Sequence, residues 1–344
     1  MKAAILESAG RIEVRDVSDL RPAPDELLIR TAYAGVCGSD LHAFRGKHPF
    51  RKPPVILGHE VAGTVVECGS GVEGFRSGDR VTVMPLLPCG TCPQCRMGRT
   101  NICLNKRVPG VGEWLGLFTE YSLAKASVVF KLAAATPFEL GVLAEPLAVG
   151  IHSVFRQAHV AAGDRVIVLG AGPIGIFTAM AAHAAGAREI VVTDLLDFNL
   201  ALVREMCGAA TYNSRGADWE TALTRAYSGG FDIAFLCSGA PITVRQALAC
   251  TRRGGRIIVT GMFLDPVAVD LLSVNLTELE LIGSAVYDHE DFRRAVDWID
   301  GGRFDFRKLV THIFPLEKAQ DALTLLAGRR EDAVKILLKM EGGE

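Results

Sequence analysis

The feature that most constrains the fold is an apolar segment, residues 166–187, that a glycine-rich turn divides in two. The segment contains no Asp, Glu, Lys or Arg. A strand-like run, Arg165–Leu169, leads directly into Gly-Ala-Gly-Pro-Ile-Gly at residues 170–175. A strand, such a turn and a helix in this order are typical of the first βαβ unit of a dinucleotide-binding sheet.

Each residue of this turn has a physical reason to be there. Gly170 permits the tight turn, Gly172 lets the backbone approach a pyrophosphate, and Gly175 lets the helix pack on the strand. Pro173 and Ile174 open the helix, whose N-terminal N–H groups attract phosphate. We assign these five residues to a cofactor site, against the alternative of a glycine-rich packing turn.

The same segment is long enough to cross a bilayer. Its glycines and Pro173 interrupt it, however, and a buried parallel strand followed by a packed helix also reads as continuously apolar. We therefore expect a soluble βα unit.

A second strand-like run, residues 189–193, ends at Asp194. An acid at this position accepts hydrogen bonds from the adenosine ribose hydroxyls and repels a 2′-phosphate. No Arg or Lys follows through Val203. The sequence therefore predicts NAD rather than NADP.

Four cysteines lie close together in the pattern C-x2-C-x2-C-x7-C: Cys89, Cys92, Cys95 and Cys103. Two-residue spacers let neighbouring thiolates reach one tetrahedral Zn²⁺. The alternatives are unrelated buried thiols or a pair of disulfides. The dense spacing favours a closed zinc site, which is structural because it leaves no open position.

Three further segments carry zinc-competent side chains: Cys37 with its neighbours, His59 beside Glu60, and Glu145. A catalytic zinc uses three protein ligands and keeps one position open. Taken singly, each has a plainer interpretation: a core thiol, a turn histidine, or an acid at a helix start. Their occurrence beside the dinucleotide motif and the cysteine cluster favours the metal site.

With these motifs together, the chain resembles the zinc-containing medium-chain alcohol dehydrogenases over its whole length. The motifs are Cys37-Gly38-Ser39-Asp40, Gly58-His59-Glu60, the four cysteines, the turn at 170–175 and Asp194. The resemblance implies that Cys37 and His59 are catalytic zinc ligands and that Glu60 is a ligand or near-ligand. It implies that Ser39 and His42 relay protons, and that Asp40 orients the zinc-bound histidine.

Glu145-Pro146-Leu147 narrows the resemblance, because the ethanol-type enzymes usually carry Cys at the first position. A glutamate there resembles the sorbitol, threonine and butanediol dehydrogenase branch, which oxidises secondary alcohols. Whether Glu60 or Glu145 is the third ligand stays open. The chain departs from the polyol enzymes at Val286, where they tend to carry Arg before the tyrosine in the predicted strand 281–287.

The predicted fold is α/β. Short strand-like runs at 2–6, 11–17, 26–34, 61–68 and 79–84 indicate a barrel-like β unit, which the resemblance identifies as GroES-like. Alternating strands and helices after about residue 139 indicate a Rossmann-type doubly wound sheet. We predict a catalytic zinc-binding domain over residues 1–148, with residues 286–344 folding back onto it, and a dinucleotide-binding domain over residues 149–285.

Composition sets the remaining expectations. The 344 residues carry a net charge of −2 and no basic stripe, which argues against nucleic acid and acidic membranes as partners. With no secretory leader at the start, we expect a cytoplasmic protein. The basic run at residues 46–52 could meet an anionic substrate, although a solvated loop is the plainer interpretation.

The predicted function is NAD-dependent oxidation of a secondary alcohol (a polyol, sugar acid, cyclitol or hydroxy amino acid) with two Zn²⁺ per chain. We expect a homotetramer or homodimer. One alternative is a zinc-free quinone or enoyl reductase, which should lack both ligand sets. The other is a non-catalytic structural protein on the same fold, which should have lost ligand or relay residues.

Overall fold

The computed structural model describes residues 1–216, 218–328 and 333–342. Its strands in chain order are β1 Lys2–Ser8, β2 Arg11–Asp16, β3 Glu26–Val36, β4 Val55–Ile56, β5 Glu60–Cys68, β6 Arg80–Val83, β7 Tyr121–Lys125, β8 Val129–Lys131, β9 Arg165–Leu169, β10 Glu189–Asp194, β11 Ala210–Asn213, β12 Phe231–Leu236, β13 Thr251–Val259, β14 Glu280–Gly283, β15 Val310–Pro315 and β16 Lys335–Lys339.

The helices are α1 Gly38–Phe44, α2 Pro93–Arg96, α3 Phe138–Gly141, α4 Ala144–Ile151, α5 Pro173–Ala184, α6 Asp197–Cys207, α7 Trp219–Ala226, α8 Pro241–Cys250, α9 Leu271–Thr277, α10 His289–Asp300 and α11 Ala319–Ala327. The chain forms two compact units, Met1–Glu145 with Asp288–Glu344, and Pro146–Tyr287.

The first unit is built on a seven-stranded sheet of order β15-β16-β3-β5-β6-β8, with β7 also paired to β3. A three-stranded sheet, β2-β1-β4, completes its strands. The C-terminal strand β16 pairs antiparallel with β3, with Ile336 opposite Val36. This pairing makes the end of the chain part of the N-terminal sheet.

Apolar residues alternate along these strands and meet in one core. Leu27 and Ile29 of β3, Val65 of β5, and Ile336 and Leu338 of β16 are all buried there. The two-residue period is seen in the first half of β3, where Leu27 and Ile29 are buried and their neighbours are partly buried, whereas β16 is buried at every position except Lys339.

The second unit is a parallel sheet of order β11-β10-β9-β12-β13-β14. Numbered from β9, this is the order 3-2-1-4-5-6 of a doubly wound dinucleotide-binding sheet. The predicted α/β class is therefore confirmed. The strand and helix expected within residues 166–187 are β9 and α5, joined by the glycine-rich turn.

Two predicted boundaries are wrong. The strand expected over residues 281–287 ends at Gly283, and Val286 has φ 47°, outside the extended region a strand requires. The helix expected to reach residue 187 ends at Ala184.

One helical stretch of the described residues, Phe138–Gln157, is long and apolar enough to cross a membrane. In its most apolar window, 83% is buried inside the protein. That burial is typical of a core helix of a soluble protein.

Candidate active site

Three strand ends of the first unit meet at one end of the seven-stranded sheet. Cys37 directly follows β3, Glu60 begins β5, and Lys335 begins β16. Gly35 pairs with Glu60 and Val36 pairs with Ile336 in the antiparallel registers. Antiparallel pairing on both sides of β3 therefore brings residues far apart in the chain to one place.

Cys37, His59 and Glu60 form a potential metal site. One ligand atom from each lies within 4.8 Å of the others. His59 and Glu60 are buried, and Cys37 is partly buried. A thiolate, an imidazole and a carboxylate are all ligands that zinc accepts, so this group fits the ion predicted from the sequence.

Asp40 joins the two segments that carry these ligands. Its Oδ2 accepts a hydrogen bond from the Cys37 N–H at 3.1 Å, and its Oδ1 accepts one from the Gly58 N–H at 3.2 Å. Oδ1 also lies 3.5 Å from Nδ1 of His59. Asp40 thus fixes the start of α1 and lies beside Nδ1 of the His59 imidazole, and a carboxylate in such a position orients metal-bound histidines.

Neighbouring groups stabilise the ionised form of Asp40. Burial alone would raise the pKa of the carboxyl, but His59, the Arg51 guanidinium and the Cys37 N–H lower it to about 2. The same carboxylate, together with Cys37, raises the pKa of His59 well above its usual value despite burial. Asp40 is therefore a permanent negative charge beside the ligand set.

Glu60 has a second partner in Lys335. Both side chains are buried, and Nζ of Lys335 forms an ion pair with Oε2 of Glu60. Burial would lower the pKa of Lys335, but the charges of Glu60 and Cys37 raise it. Lys335 therefore neutralises a carboxylate that can also face the metal.

Glu145 lies in the first turn of α4 and is buried. Its charge acts on Lys335, so it borders the same group. The set within 4.8 Å comprises Cys37, His59 and Glu60 and does not include Glu145.

Ser39 and His42 both lie on α1, three residues apart, so they share one face of the helix. Burial, Arg45 and Lys47 lower the pKa of His42, which favours the neutral form of the imidazole. Ser39 Oγ accepts a hydrogen bond from Nη1 of Arg51 at 3.3 Å.

Arg51 is a site residue that sequence reasoning placed wrongly. The basic run at residues 46–52 was interpreted as a solvated loop, but Arg51 and His48 are 6% and 7% exposed. The sequence signal was present in the run of basic residues, yet nothing local to it distinguishes a buried guanidinium from the exposed Lys47 and Lys52.

The four cysteines converge as predicted. The Sγ atoms of Cys92 and Cys95 are 3.5 Å apart, those of Cys89 and Cys103 are 3.5 Å apart, and those of Cys92 and Cys103 are 3.9 Å apart. Tetrahedral zinc with Zn–S bonds of about 2.3 Å separates its sulfurs by about 3.8 Å. All four are free thiols rather than disulfides, so the cluster fits a closed zinc site.

Backbone donors favour the thiolate form of Cys89 and Cys92, whereas burial and neighbouring thiols raise the pKa of Cys95 to about 12. Hydrogen bonds from the backbone of Thr91 and Cys92 and from Cys103 lower the pKa of Cys89 to about 5. The Cys89 N–H in turn donates to Cys103 Sγ at 3.2 Å. Preformed donors to sulfur are expected where several thiolates bind one cation.

In the second unit, the glycine-rich turn has the geometry that its sequence predicts. Gly170 has φ 107°, which favours glycine. A Cβ on Gly175 would lie 1.8 Å from the Gly170 carbonyl oxygen, so only glycine permits this approach of α5 to β9. A Cβ on Gly172 would meet nothing within 4 Å, which leaves open space above the turn.

Asp194 lies at the end of β10 and contacts this turn. Its Oδ2 accepts from the Ala171 N–H at 2.6 Å, and its Oδ1 accepts from the Leu196 N–H at 2.9 Å. A carboxylate has about four acceptor sites, so ribose hydroxyls could still donate to it. In the structure, Asp194 holds the turn in place through these two hydrogen bonds.

Comparison with known proteins shows matches to both units. The "Alcohol dehydrogenase GroES-like domain" family matches residues 23–134, and the "Zinc-binding dehydrogenase" family matches residues 173–301. Sorbitol dehydrogenase of Bacillus subtilis is 32% identical over 350 residues, which cover 98% of this chain and 97% of the relative.

Two other relatives extend the comparison. The 2-dehydro-3-deoxy-L-galactonate 5-dehydrogenase of Pseudoalteromonas atlantica is 33% identical over 312 residues, 90% of each chain. A Sinorhizobium meliloti protein described as a zinc-binding dehydrogenase was solved bound to NADP. It superposes with a TM-score of 0.90 at 33% identity and covers 98% of both chains.

Proposed function

The chain belongs to the zinc-containing medium-chain alcohol dehydrogenases of the sorbitol dehydrogenase-like branch, and from this premise we propose that it oxidises a secondary alcohol to a ketone with NAD. The observation that carries the proposal is the convergence of Cys37, His59 and Glu60 within 4.8 Å, beside the helix that carries Ser39. Named relatives act on polyols and on a sugar acid.

Cys37 and His59, with either Glu60 or Glu145, would hold the catalytic zinc. When bound, zinc supplies Lewis-acid chemistry that lowers the pKa of an alcohol, and NAD accepts a hydride. Ser39 Oγ would accept the hydroxyl proton and release its own hydroxyl proton toward His42, whose imidazole would accept it. Asp40 keeps the imidazole of His59 in its orientation. One hydride and one proton leave the alcohol, which gives the ketone.

The two alternatives are less well supported. A zinc-free reductase has no use for the Cys37 group or for the four-cysteine cluster, and a structural protein has no need of Ser39 and His42 on one helix face. The test is NADH formation by purified protein over a panel of secondary alcohols. Oxidation of at least one polyol, sugar acid or hydroxy amino acid is expected, and no activity over the whole panel would contradict the proposal.

Substitutions of Glu145 can show which carboxylate is the third ligand of the catalytic zinc. If Glu145 binds the catalytic zinc, directly or through water, Glu145→Gln loses that metal or lowers kcat, and Glu145→Cys holds zinc more tightly. If it only stabilises the start of α4, Glu145→Gln costs at most about 1 kcal/mol and leaves zinc content and kcat unchanged.

We expect the first outcome for Glu145, measured as zinc per chain and kcat. Glu139→Gln is the matched control, because Glu139 occupies the first turn of the neighbouring helix α3. Equal zinc content and kcat in Glu145→Gln and Glu139→Gln would leave Glu60 as the third ligand.

NAD is the proposed cofactor, and Asp194 is the residue that selects it. The carboxylate repels a 2′-phosphate, so Asp194→Asn should lower the NAD/NADP ratio of kcat/KM by roughly 10- to 100-fold. Asn keeps an acceptor for the Ala171 N–H, and Asp197→Asn removes a nearby charge as a control. A wild-type protein that uses NADP as well as NAD would contradict this role.

We further propose that Met1–Glu145 with Asp288–Glu344 is the catalytic domain and that Pro146–Tyr287 is the dinucleotide-binding domain. Both predicted zinc sites lie in the first unit, and the glycine-rich turn and Asp194 lie in the second. The domain assignment rests on this separation of the two sets of described residues.

A homodimer or homotetramer in the cytoplasm is the proposed state of the protein. Exposed leucines on α9 and β14 support self-association: Leu271, Leu272, Leu276 and Leu281 are 71%, 67%, 63% and 41% exposed. β14 is the edge strand of its sheet, and exposed apolar edges are typical interfaces. A solution mass equal to one chain of 36.9 kDa would contradict it.

A further inference from the structure

The loop between α1 and β4 distributes its side chains in an unusual way. Arg51 is buried, with 6% of its surface exposed, while the adjacent Phe50 is 72% exposed and Lys52 is exposed. Arginine is among the residues least often buried unless it is paired. The loop therefore buries the guanidinium of Arg51 and exposes the aromatic ring of Phe50.

Arg51 is held in one position by its surroundings. Nδ1 of His48 accepts hydrogen bonds from the backbone N–H groups of Arg51 at 3.0 Å and Phe50 at 3.2 Å. Nε of Arg51 donates to the Pro109 carbonyl at 3.1 Å. The guanidinium is thus fixed before any ligand arrives, which lowers the entropy cost of binding one.

The carboxylate that pairs with this charge is Asp40, whose Oδ1 lies 4.0 Å from Nη1, beyond hydrogen-bond distance. Asp40 already accepts from the Cys37 and Gly58 N–H groups and faces His59. Within the described ranges, the hydrogen bonds of the guanidinium come from Nε and Nη1, which leaves Nη2 to a ligand. Buried charges need a close partner, so an anion would complete this site.

We propose that Arg51 binds a carboxylate of the substrate, so that the alcohol oxidised is a hydroxy acid. This inference rests on the proposed function, because Ser39 marks the position of the reacting hydroxyl. Nη1 lies 3.3 Å from Ser39 Oγ, which places the carboxylate within one or two carbons of the reacting carbinol. The planar fork of arginine matches a carboxylate in geometry and charge.

The test compares matched substrates in matched variants. Pairs of an aldonate and the alditol of the same configuration are assayed with wild type, Arg51→Gln, Arg51→Lys and the control Lys52→Gln. We expect wild type to prefer the aldonate in kcat/KM. The aldonate/alditol ratio should fall roughly 10- to 100-fold in Arg51→Gln, the range for loss of a charge-assisted contact. The aldonate/alditol ratio should fall less in Arg51→Lys, because lysine keeps the positive charge. Arg51→Lys also provides the test if Arg51→Gln does not fold. Lys52→Gln should leave the ratio unchanged.

Binding supplies a readout that needs no turnover. Calorimetric titration of aldonate into the zinc-loaded protein with NADH should give a dissociation constant that rises by a similar factor in Arg51→Gln. If no alcohol is oxidised at all, the proposed function fails, and this titration alone decides on Arg51. If alditols are oxidised and neither the ratio nor the binding changes, the function stands and the role of Arg51 is wrong.

Two other anions must be distinguished from the carboxylate. A phosphorylated alditol that replaces the aldonate as the Arg51-dependent substrate would overturn the carboxylate assignment. A weaker dissociation constant for NAD in Arg51→Gln, with an unchanged aldonate/alditol ratio, would show that the guanidinium binds cofactor phosphate and would also overturn it.

Discussion

Replacing Cys37 with serine is expected to remove one zinc ion per chain and to lower kcat by roughly a thousandfold or more, since the metal supplies several kcal/mol of transition-state stabilisation. A hydroxyl is a far poorer zinc ligand than a thiolate. The fold should survive, because Cys37 follows β3 at a strand end outside the apolar core. Zinc content by elemental analysis, kcat and the thermal unfolding midpoint are the measurements.

Cys68→Ser is the matched control for Cys37→Ser. Cys68 is partly buried at the end of β5 and belongs to none of the potential metal-binding groups among the described residues. The Cys68→Ser protein should keep both zinc ions and wild-type activity. A Cys37→Ser protein that retains wild-type kcat would end the zinc mechanism.

Removal of the buried ammonium by Lys335→Met is expected to destabilise the metal-free protein by about 3–5 kcal/mol. The exposed fractions of the Lys335 and Glu60 side chains are 2% and 0%, so the substitution leaves a carboxylate buried without its partner. The loss should be smaller with zinc bound, because the metal then offsets the charge of Glu60. The free energy of unfolding, with and without zinc, is the measurement.

Lys339→Met is the matched control for Lys335→Met. Lys339 ends the same strand β16 and is exposed, so its replacement should change stability by no more than about 0.5 kcal/mol. A metal-free Lys335→Met protein as stable as Lys339→Met would show that the Glu60 pair does not stabilise the fold.

Sequence reasoning was strongest where spacing and local structure coincide. The four cysteines lie within one short loop, so their spacing alone brings the sulfurs together. The strand-turn-helix at β9 and α5 is equally local, because the backbone geometry of the turn itself requires glycine at positions 170 and 175. The family, the α/β class and the zinc-dehydrogenase function followed from these motifs together and are confirmed by the matched families.

The contacts that sequence reasoning missed are distant in the chain. Lys335 reads as one residue of a C-terminal strand, and only the pairing of β16 with β3 brings it to Glu60. Arg51 appears in the sequence as part of a basic loop, and its contacts with Pro109 and Ser39, both distant in the chain or on another element, are seen only in the structure. The strand predicted to continue through Val286 ends early because its backbone turns to φ 47°. Tertiary contacts rather than local pattern determine the first two of these features.

Controlled removal and return of zinc tests the central claim most directly. The purified protein should contain two zinc ions per chain, and a mild chelator should remove one and abolish NADH formation from a secondary alcohol. The closed cysteine site should release its ion more slowly than the open one. Adding one equivalent of Zn²⁺ should then restore activity. Undiminished activity after loss of the labile zinc would contradict a zinc-dependent alcohol dehydrogenase.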